Sequence, residues 1–446
     1  MLKTATKMKW PSWAFWLIAG AISLYAIWGV SRVPFHPDES TYLFMSADID
    51  LALSNPASLA WKPEKVLDLR EHYRAIDAPI TRYLLGLGRS VAGLPALPAD
   101  WSWRANWENN QQAGALPDVQ LLWAGRLAMT LLLPVSLFFI YLIGRRMGGE
   151  ASGLLAVVLL GSNALILLHT RRAMTEGALT LGVLFALWCF LDGWKRPWLS
   201  GLGMAVAFNV KHSTLALLPV GMLAVAWAFF TPPIGPLGAR ARKALTNLLV
   251  YGAMFALVTL ILNPFLWHDP LAAVQISIKE RNDLLQRQVA DTLRLAPEKV
   301  LATPEQRAVS LVANLLILPP AFAEVKQYQA YTAAAEEAYL STPGHNLLRG
   351  MLGGGMMLAL FLLGIALALV DFRHKNQEQR RALALVGLAT IFQTSLLIWA
   401  VPLTWQRYVI PLVPITCLWA AYPASLVEKI LQGMGRSSLS SASPEK

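Results

Sequence analysis

Asp38 and Glu39 stand side by side in the stretch His36-Pro37-Asp38-Glu39-Ser40-Thr41-Tyr42, directly after the first apolar run of the chain. A carboxylate so placed can take the proton of a hydroxyl as that oxygen attacks an electrophilic carbon. A cation beside it can hold a phosphate and stabilise the charge that grows on a departing oxygen, bidentately where arginine is used. The chain offers such cations at the ends of other apolar runs. Thr170-Arg171-Arg172-Ala173-Met174-Thr175-Glu176, Lys211-His212 and Thr404-Trp405-Gln406-Arg407-Tyr408 are all short turns, and His268-Asp269 follows Trp267. Taken singly, each has a plainer reading: loops leaving a membrane carry charge, and Arg171, Arg172 and Lys211 could reach up to phospholipid headgroups.

The elements that must position these groups are membrane helices. The composition is 55% hydrophobic and 15% charged, with positive mean hydropathy, which excludes a soluble domain. The formal charge of +11 comes from basic residues spread between apolar runs rather than gathered in one patch, so nucleic acid is not an expected partner. Cys189 and Cys417 lie inside apolar runs and act as small hydrophobes. The first run is longer than a cleavable signal core and lacks a small-residue cleavage pattern, so it reads as an uncleaved span.

Apolar runs fall at 12–31, 121–143, 151–169, 177–192, 199–230, 246–266, 347–370, 382–401 and 408–427. Lys and Arg accumulate in cytoplasmic loops, which marks the N-terminus, Arg145-Arg146, Lys195-Arg196, Arg240 to Lys243, Arg373 to Arg381 and the tail as inner. The run 199–230 must then cross twice, as a hairpin with its tip near Lys211-His212 on the outer side. The expectation is one multi-span domain over 1–446, all-α, with about ten transmembrane helices and both termini cytoplasmic. The inner segments hold 17 basic and 6 acidic residues, a net of +11, equal to the charge of the whole chain; everything else sums to zero.

Two outer segments, 32–120 and 267–346, are too long to be mere connections. From Ile80, the spacing of Ile80, Tyr83, Leu84 and Leu87 predicts an amphipathic helix able to lie in the membrane interface. The second segment alternates helical stretches such as 276–292 with an apolar patch, 309–318, too short to span. The tryptophans of Trp101-Ser102-Trp103-Arg104-Ala105-Asn106-Trp107 read more readily as interfacial anchors than as ligand contacts.

Short outer turns cannot stray far from the membrane plane, so Asp38, Glu39, Arg171, Arg172, Glu176, Lys211, His212, His268, Asp269 and Arg407 are expected at one interface. That set suits a sugar joined to a polyprenyl phosphate, with its tail in the bilayer and its phosphate at headgroup depth. A divalent ion could be held by the carboxylates and His268, but no ligand spacing demands one, and no cofactor or metal is expected to be required.

The ordered motifs resemble the phospholipid-carrier-dependent glycosyltransferases of the GT-C superfamily, among them protein O-mannosyltransferases and the aminoarabinose transferases of lipid A. They are His36-Pro37-Asp38-Glu39, Asp77-Ala78-Pro79 with Tyr83, Ala124-Gly125-Arg126-Leu127, Gly144-Arg145-Arg146-Met147-Gly148-Gly149, Arg172-Ala173-Met174-Thr175-Glu176, Asn209-Val210-Lys211-His212-Ser213, Asn263-Pro264-Phe265 through Asp269-Pro270, and Arg407-Tyr408-Val409-Ile410-Pro411. The resemblance implies an inverting transfer of a sugar from polyprenyl phosphate to a protein, lipid or glycan acceptor on the outer face. It implies Asp38 as the catalytic carboxylate, Glu39 assisting acceptor or donor binding, and Arg171, Arg172, Lys211 and Arg407 on the phosphate. Glu176 stands where the family commonly has Asp, and Ala78-Pro79 where it has Pro-Pro. Tyr83, His212, His268 and Asp269 are further site candidates. The alternative from another class is a transporter or flippase of lipid-linked sugars, which would bury ionisable groups at mid-membrane and break helices there; here the charges gather at span ends.

Overall fold

A computed structural model describes residues 12–230, 236–323 and 328–426. The inner charges placed at Lys3, Lys7, Lys9, Lys429, Arg436 and Lys446 lie outside the described residues, as do both chain ends. Among the described residues the secondary structure is helical, and the one β pairing is an isolated bridge between Val300 and Leu403. Six described helices are long and apolar enough to cross a bilayer: Trp13–Arg32, Val119–Gly148, Leu237–Leu262, Gly350–His374, Gln377–Ala400 and Gln406–Leu426. Glu150–Gly161 and Ala164–Thr170 make a seventh if they count as one span bent by 60°. The bend has a local cause: Asn163 accepts hydrogen bonds from the backbone N–H of Leu165 (3.0 Å) and Ile166 (3.3 Å), capping a new helix in a new direction. Thr175–Leu191 and His212–Ala226 are apolar but shorter.

The last span and the short helix Ala164–Thr170 lie at the centre, and several other long helices line the rim. All nine residues of Val413–Ala421 are buried, whereas Leu249, Ile261, Leu352 and Val370 on the long helices are exposed. Helices satisfy their own backbone groups, so such apolar flanks can face hydrocarbon. Inside, small residues let backbones touch: a Cβ on Gly364 would lie 1.9 Å from the carbonyl oxygen of Trp419.

The first span begins at the Ser12 cap and ends at Gly29. One 3-10 turn, Val30–Arg32, and the extended Val33 carry the chain to Pro37, which opens the acidic helix Pro37–Met45. Further on, the helix Pro197–Val210 breaks at Lys211, which is extended, and a 3-10 turn, His212–Leu217, leads into Leu218–Ala226.

The two long segments between spans, expected to be outer, pack against each other. His72 Nδ1 on the helix Leu69–Ile76 lies 2.9 Å from Glu280 Oε2 on Pro270–Leu295, and Trp107 stacks on Tyr331 at 4.8 Å. The helix expected from Ile80 runs over Pro79–Val91. Its buried face is set by Thr81, Arg82, Leu85 and Arg89 rather than by the stripe of Ile80, Tyr83, Leu84 and Leu87. The buried arginines are paired: Arg82 lies 3.1 Å from Asp48, which also binds Arg74 at 2.6 Å, and Arg89 pairs with Asp50.

Candidate active site

The acidic helix is built from its own first turn. Pro37 fixes the first helical φ, His36 Nδ1 accepts the Asp38 N–H (3.1 Å), and Glu39 Oε2 accepts the His36 N–H (3.0 Å). Glu39 is wholly enclosed. Its Oε1 accepts from Arg126 Nε (2.8 Å) and from the Ala173 N–H (2.9 Å), and its Oε2 from Arg126 Nη2 (2.7 Å). Burial alone would push its carboxyl up; Arg126 first, then Arg172 and the Ala173 N–H, overcome this and hold it below the usual carboxylate range. Arg126 also donates to the carbonyls of Val30 and Val33. One ion pair thus joins the first span's exit, the acidic helix and the turn after Thr170. Every oxygen of Glu39 is in use, so it offers no face to a ligand, contrary to the contact expected of it.

Asp38 points elsewhere. Its carboxylate pairs with Arg407, and the two side chains keep 20% and 15% of their surface open. Lys211 reaches Glu176 Oε1 at 3.1 Å, with Lys211 21% open and Glu176 buried. The second oxygen of Glu176 has no hydrogen-bond partner. Tyr42, one turn beyond Asp38 on the same helix, ties these pairs into one place. Burial pushes its phenol well up, and the charges acting on it are those of Asp77, Glu176, Asp38 and Arg407. Asp77, at the C-cap of Leu69–Ile76, is pushed up by burial and by Asp38 against the pull of Arg281, Lys211 and Arg82. The site therefore gathers Asp38, Tyr42, Asp77, Glu176, Lys211 and Arg407, with Arg281 facing it from the second outer segment. Such an arrangement can accept a proton at Asp38 and neutralise an anion at Lys211 and Arg407.

The other expected cations are tied up in structure. Arg171 is fully buried: Nε donates to the Ala26 carbonyl (2.9 Å), Nη2 to the Tyr25 carbonyl (2.7 Å), and Nη1 meets His345 Nε2 at 2.7 Å. Gly29 makes the room, since a Cβ there would sit 2.2 Å from the guanidinium carbon. Arg172 is buried too and donates to the carbonyls of Phe322 (3.0 Å) and Pro34 (3.4 Å). Phe322, Tyr339 and His345 roof the turn that Arg171 and Arg172 occupy, in place of the phosphate contact expected of them, and the Arg172 Nε is buried there without a hydrogen-bond partner.

His212 follows Lys211, with its ring against Phe208. Tyr83 has a buried hydroxyl without a hydrogen-bond partner. Asp269 caps the helix Pro270–Leu295 by accepting the Ala272 N–H (3.0 Å), and His268 beside it is exposed. Among the described residues no group of three or more His, Cys, Asp or Glu is placed to hold a metal ion. Sequence reasoning missed Arg281 and the Asp100–Tyr73 pair. Arg126 was visible only as part of a motif.

Residues 117–268 match the family model described as dolichyl-phosphate-mannose-protein mannosyltransferase. None of the curated proteins matches the chain. Among solved structures, the chain is similar to ArnT from Cupriavidus metallidurans bound to undecaprenyl phosphate, at 14% identity and a TM-score of 0.51, over 92% of this chain and 60% of that one. It is similar also to the apo oligosaccharyltransferase of Archaeoglobus fulgidus, at 12% identity and a TM-score of 0.52, over 99% of this chain and 53% of that one. The chain thus spans little more than half the length of these proteins. The likeness is one of fold, and with the family match over 117–268 it agrees with the resemblance carried by the motifs: this chain has a fold similar to that of ArnT and of the archaeal oligosaccharyltransferase.

Proposed function

We propose that this protein is an inverting glycosyltransferase that moves a sugar from a polyprenyl-phosphate donor to an acceptor at the outer membrane face. The observation that carries the reading is the pairing of the partly open Asp38 with Arg407, beside the Lys211–Glu176 pair. The donor's phosphate takes Lys211 and Arg407. The acceptor hydroxyl oxygen attacks the anomeric carbon, its proton passes to Asp38, and the carbon–oxygen bond to phosphate breaks with its electron pair on the leaving oxygen. A single displacement inverts the anomeric centre. Glu39 and Arg126 hold the helix that carries Asp38, and no step is assigned to a metal, so chelation leaves transfer unchanged.

The reading counts ten spans, with both termini inside. Three helices too short for an ordinary span on their own complete the count: Thr175–Leu191, Pro197–Val210 and the broken His212–Ala226. The similarity to a structure holding undecaprenyl phosphate, and to a family named for dolichyl-phosphate-mannose, supports the donor class. The test is transfer by purified protein in nanodiscs from a panel of polyprenyl-phosphate sugars, with Asp38→Asn as control. Release of free polyprenyl phosphate by the wild type, lost by about 10²–10⁴ in the variant, is expected of a general base. Movement of intact donor across the bilayer without cleavage would instead mark a flippase.

A further inference from the structure

The acidic helix is held a second time, by a contact separate from the Arg407 pair. Thr41, three residues past Asp38, donates to Asp100 Oδ1 at 2.7 Å, and the Tyr73 hydroxyl donates to Asp100 Oδ2 at 2.5 Å. Positions three apart on a helix share a face, so a hold on Thr41 fixes the height and rotation of the turn that carries Asp38. The groups facing Asp100 come from three elements: Thr41 and Asp38 on the acidic helix, Tyr73 and Arg70 on Leu69–Ile76, and the backbone N–H of Trp101. Arg70 is committed to the acidic helix as well, donating to the Phe44 carbonyl at 2.7 Å with its guanidinium over the Phe44 ring. Burial pushes the Asp100 carboxyl up, its hydrogen bonds pull it down, and the charge of Asp38 pushes it up further. The same surroundings push up the Tyr73 phenol, which therefore remains a donor.

We infer that Asp100 is a positioning residue for the transfer reaction: through Thr41 it sets where Asp38 meets the acceptor hydroxyl. The inference rests on the reading of Asp38 as the base. Tyr73 serves as the second anchor of Asp100, so the segment between the first two spans braces the acidic helix at the turn that carries Asp38.

The test compares Asp100→Asn, Tyr73→Phe, Thr41→Val and Thr41→Ser with the wild type in the nanodisc assay, reading kcat and donor KM. Loosening a general base rather than removing it should lower kcat roughly tenfold in Asp100→Asn, with donor KM within about twofold. Tyr73→Phe and Thr41→Val should likewise lower kcat with donor KM little changed, and Thr41→Ser, which keeps the hydroxyl, should retain kcat. Wild-type kcat in Asp100→Asn overturns the inference. If that variant does not fold, an unchanged kcat in Thr41→Val overturns it instead. The two readings fail separately: an active Asp38→Asn removes the base, whereas an inactive Asp38→Asn beside a wild-type Asp100→Asn removes only the positioning role.

Discussion

Glu39→Gln set against Asp38→Asn separates a carboxylate that holds the fold from one that does the chemistry. Four hydrogen bonds converge on Glu39, two of them from Arg126, and no surface of it is open. Glutamine keeps the shape, but it removes the charge and turns an NH2 group toward donors. Arg126, buried and still charged, is then uncompensated, with Arg172 nearby. Breaking a buried pair from one side costs ~3–5 kcal/mol, about 10²–10⁴ in the folded-to-unfolded ratio. The assay is built into the chain. Cys189 and Cys417 are free and buried, so a thiol-reactive dye reports unfolding as the protein is heated in detergent. Glu39→Gln should release both thiols at markedly lower temperature. Asp38→Asn touches a pair that keeps a path to solvent, so it should cost less stability than Glu39→Gln and melt closer to the wild type while losing turnover. Acid sharpens the contrast. The Glu39 carboxyl is held below its ordinary value of 4.5, so the stability it gives is complete above that value and is lost as pH falls through the lower folded one. Glu39→Gln should lack that acid-side loss. A Glu39→Gln protein that melts with the wild type yet turns over a thousandfold more slowly would refute the reasoning and return Glu39 to the chemistry.

Lys211→Ala should raise donor KM more than acceptor KM, and the effect should shrink in high salt because the Lys211 contact is partly exposed; equal KM values in variant and wild type would count against a phosphate role. Arg171→Ala should melt early with donor affinity unchanged, since its guanidinium is spent on the Tyr25 and Ala26 carbonyls and His345. Burial first, then the Arg171 charge, depress the His345 imidazole from 6.5 to about 4. Its contribution is therefore complete above pH 6.5 and declines as pH falls from 6.5 towards 4. Thermal melts of His345→Asn across that window should show a flatter acid-side decline.

The spans were legible because hydrocarbon imposes long apolar runs, and the acidic motif because it stands where the first run ends. Arg407 and Lys211 were legible as cations in turns between apolar runs. Arg171 and Arg172 looked the same in sequence, and what distinguishes them is a roof made by Phe322, Tyr339 and His345, some 150–175 residues further on. No local pattern encodes that cover. Arg281 was invisible for the opposite reason: in Pro270–Leu295 it is one of seven charged residues on a long polar helix, and only the packing of that helix against Leu69–Ile76 brings it towards Asp77. The helix Pro79–Val91 was foreseen, but its buried face was not, because Arg82 and Arg89 go inside only once Asp48 and Asp50 are there to receive them.

The Asp38–Arg407 contact has a bearing on timing. On the proposed mechanism the base and one of the cations meant for the donor clasp each other, so neither group is on offer to a stray hydroxyl or a passing phosphodiester for as long as the contact holds. A lipid monophosphate sugar that wins Arg407 must dislodge Asp38 in doing so. On that mechanism, loading the donor and unsheathing the base become a single event.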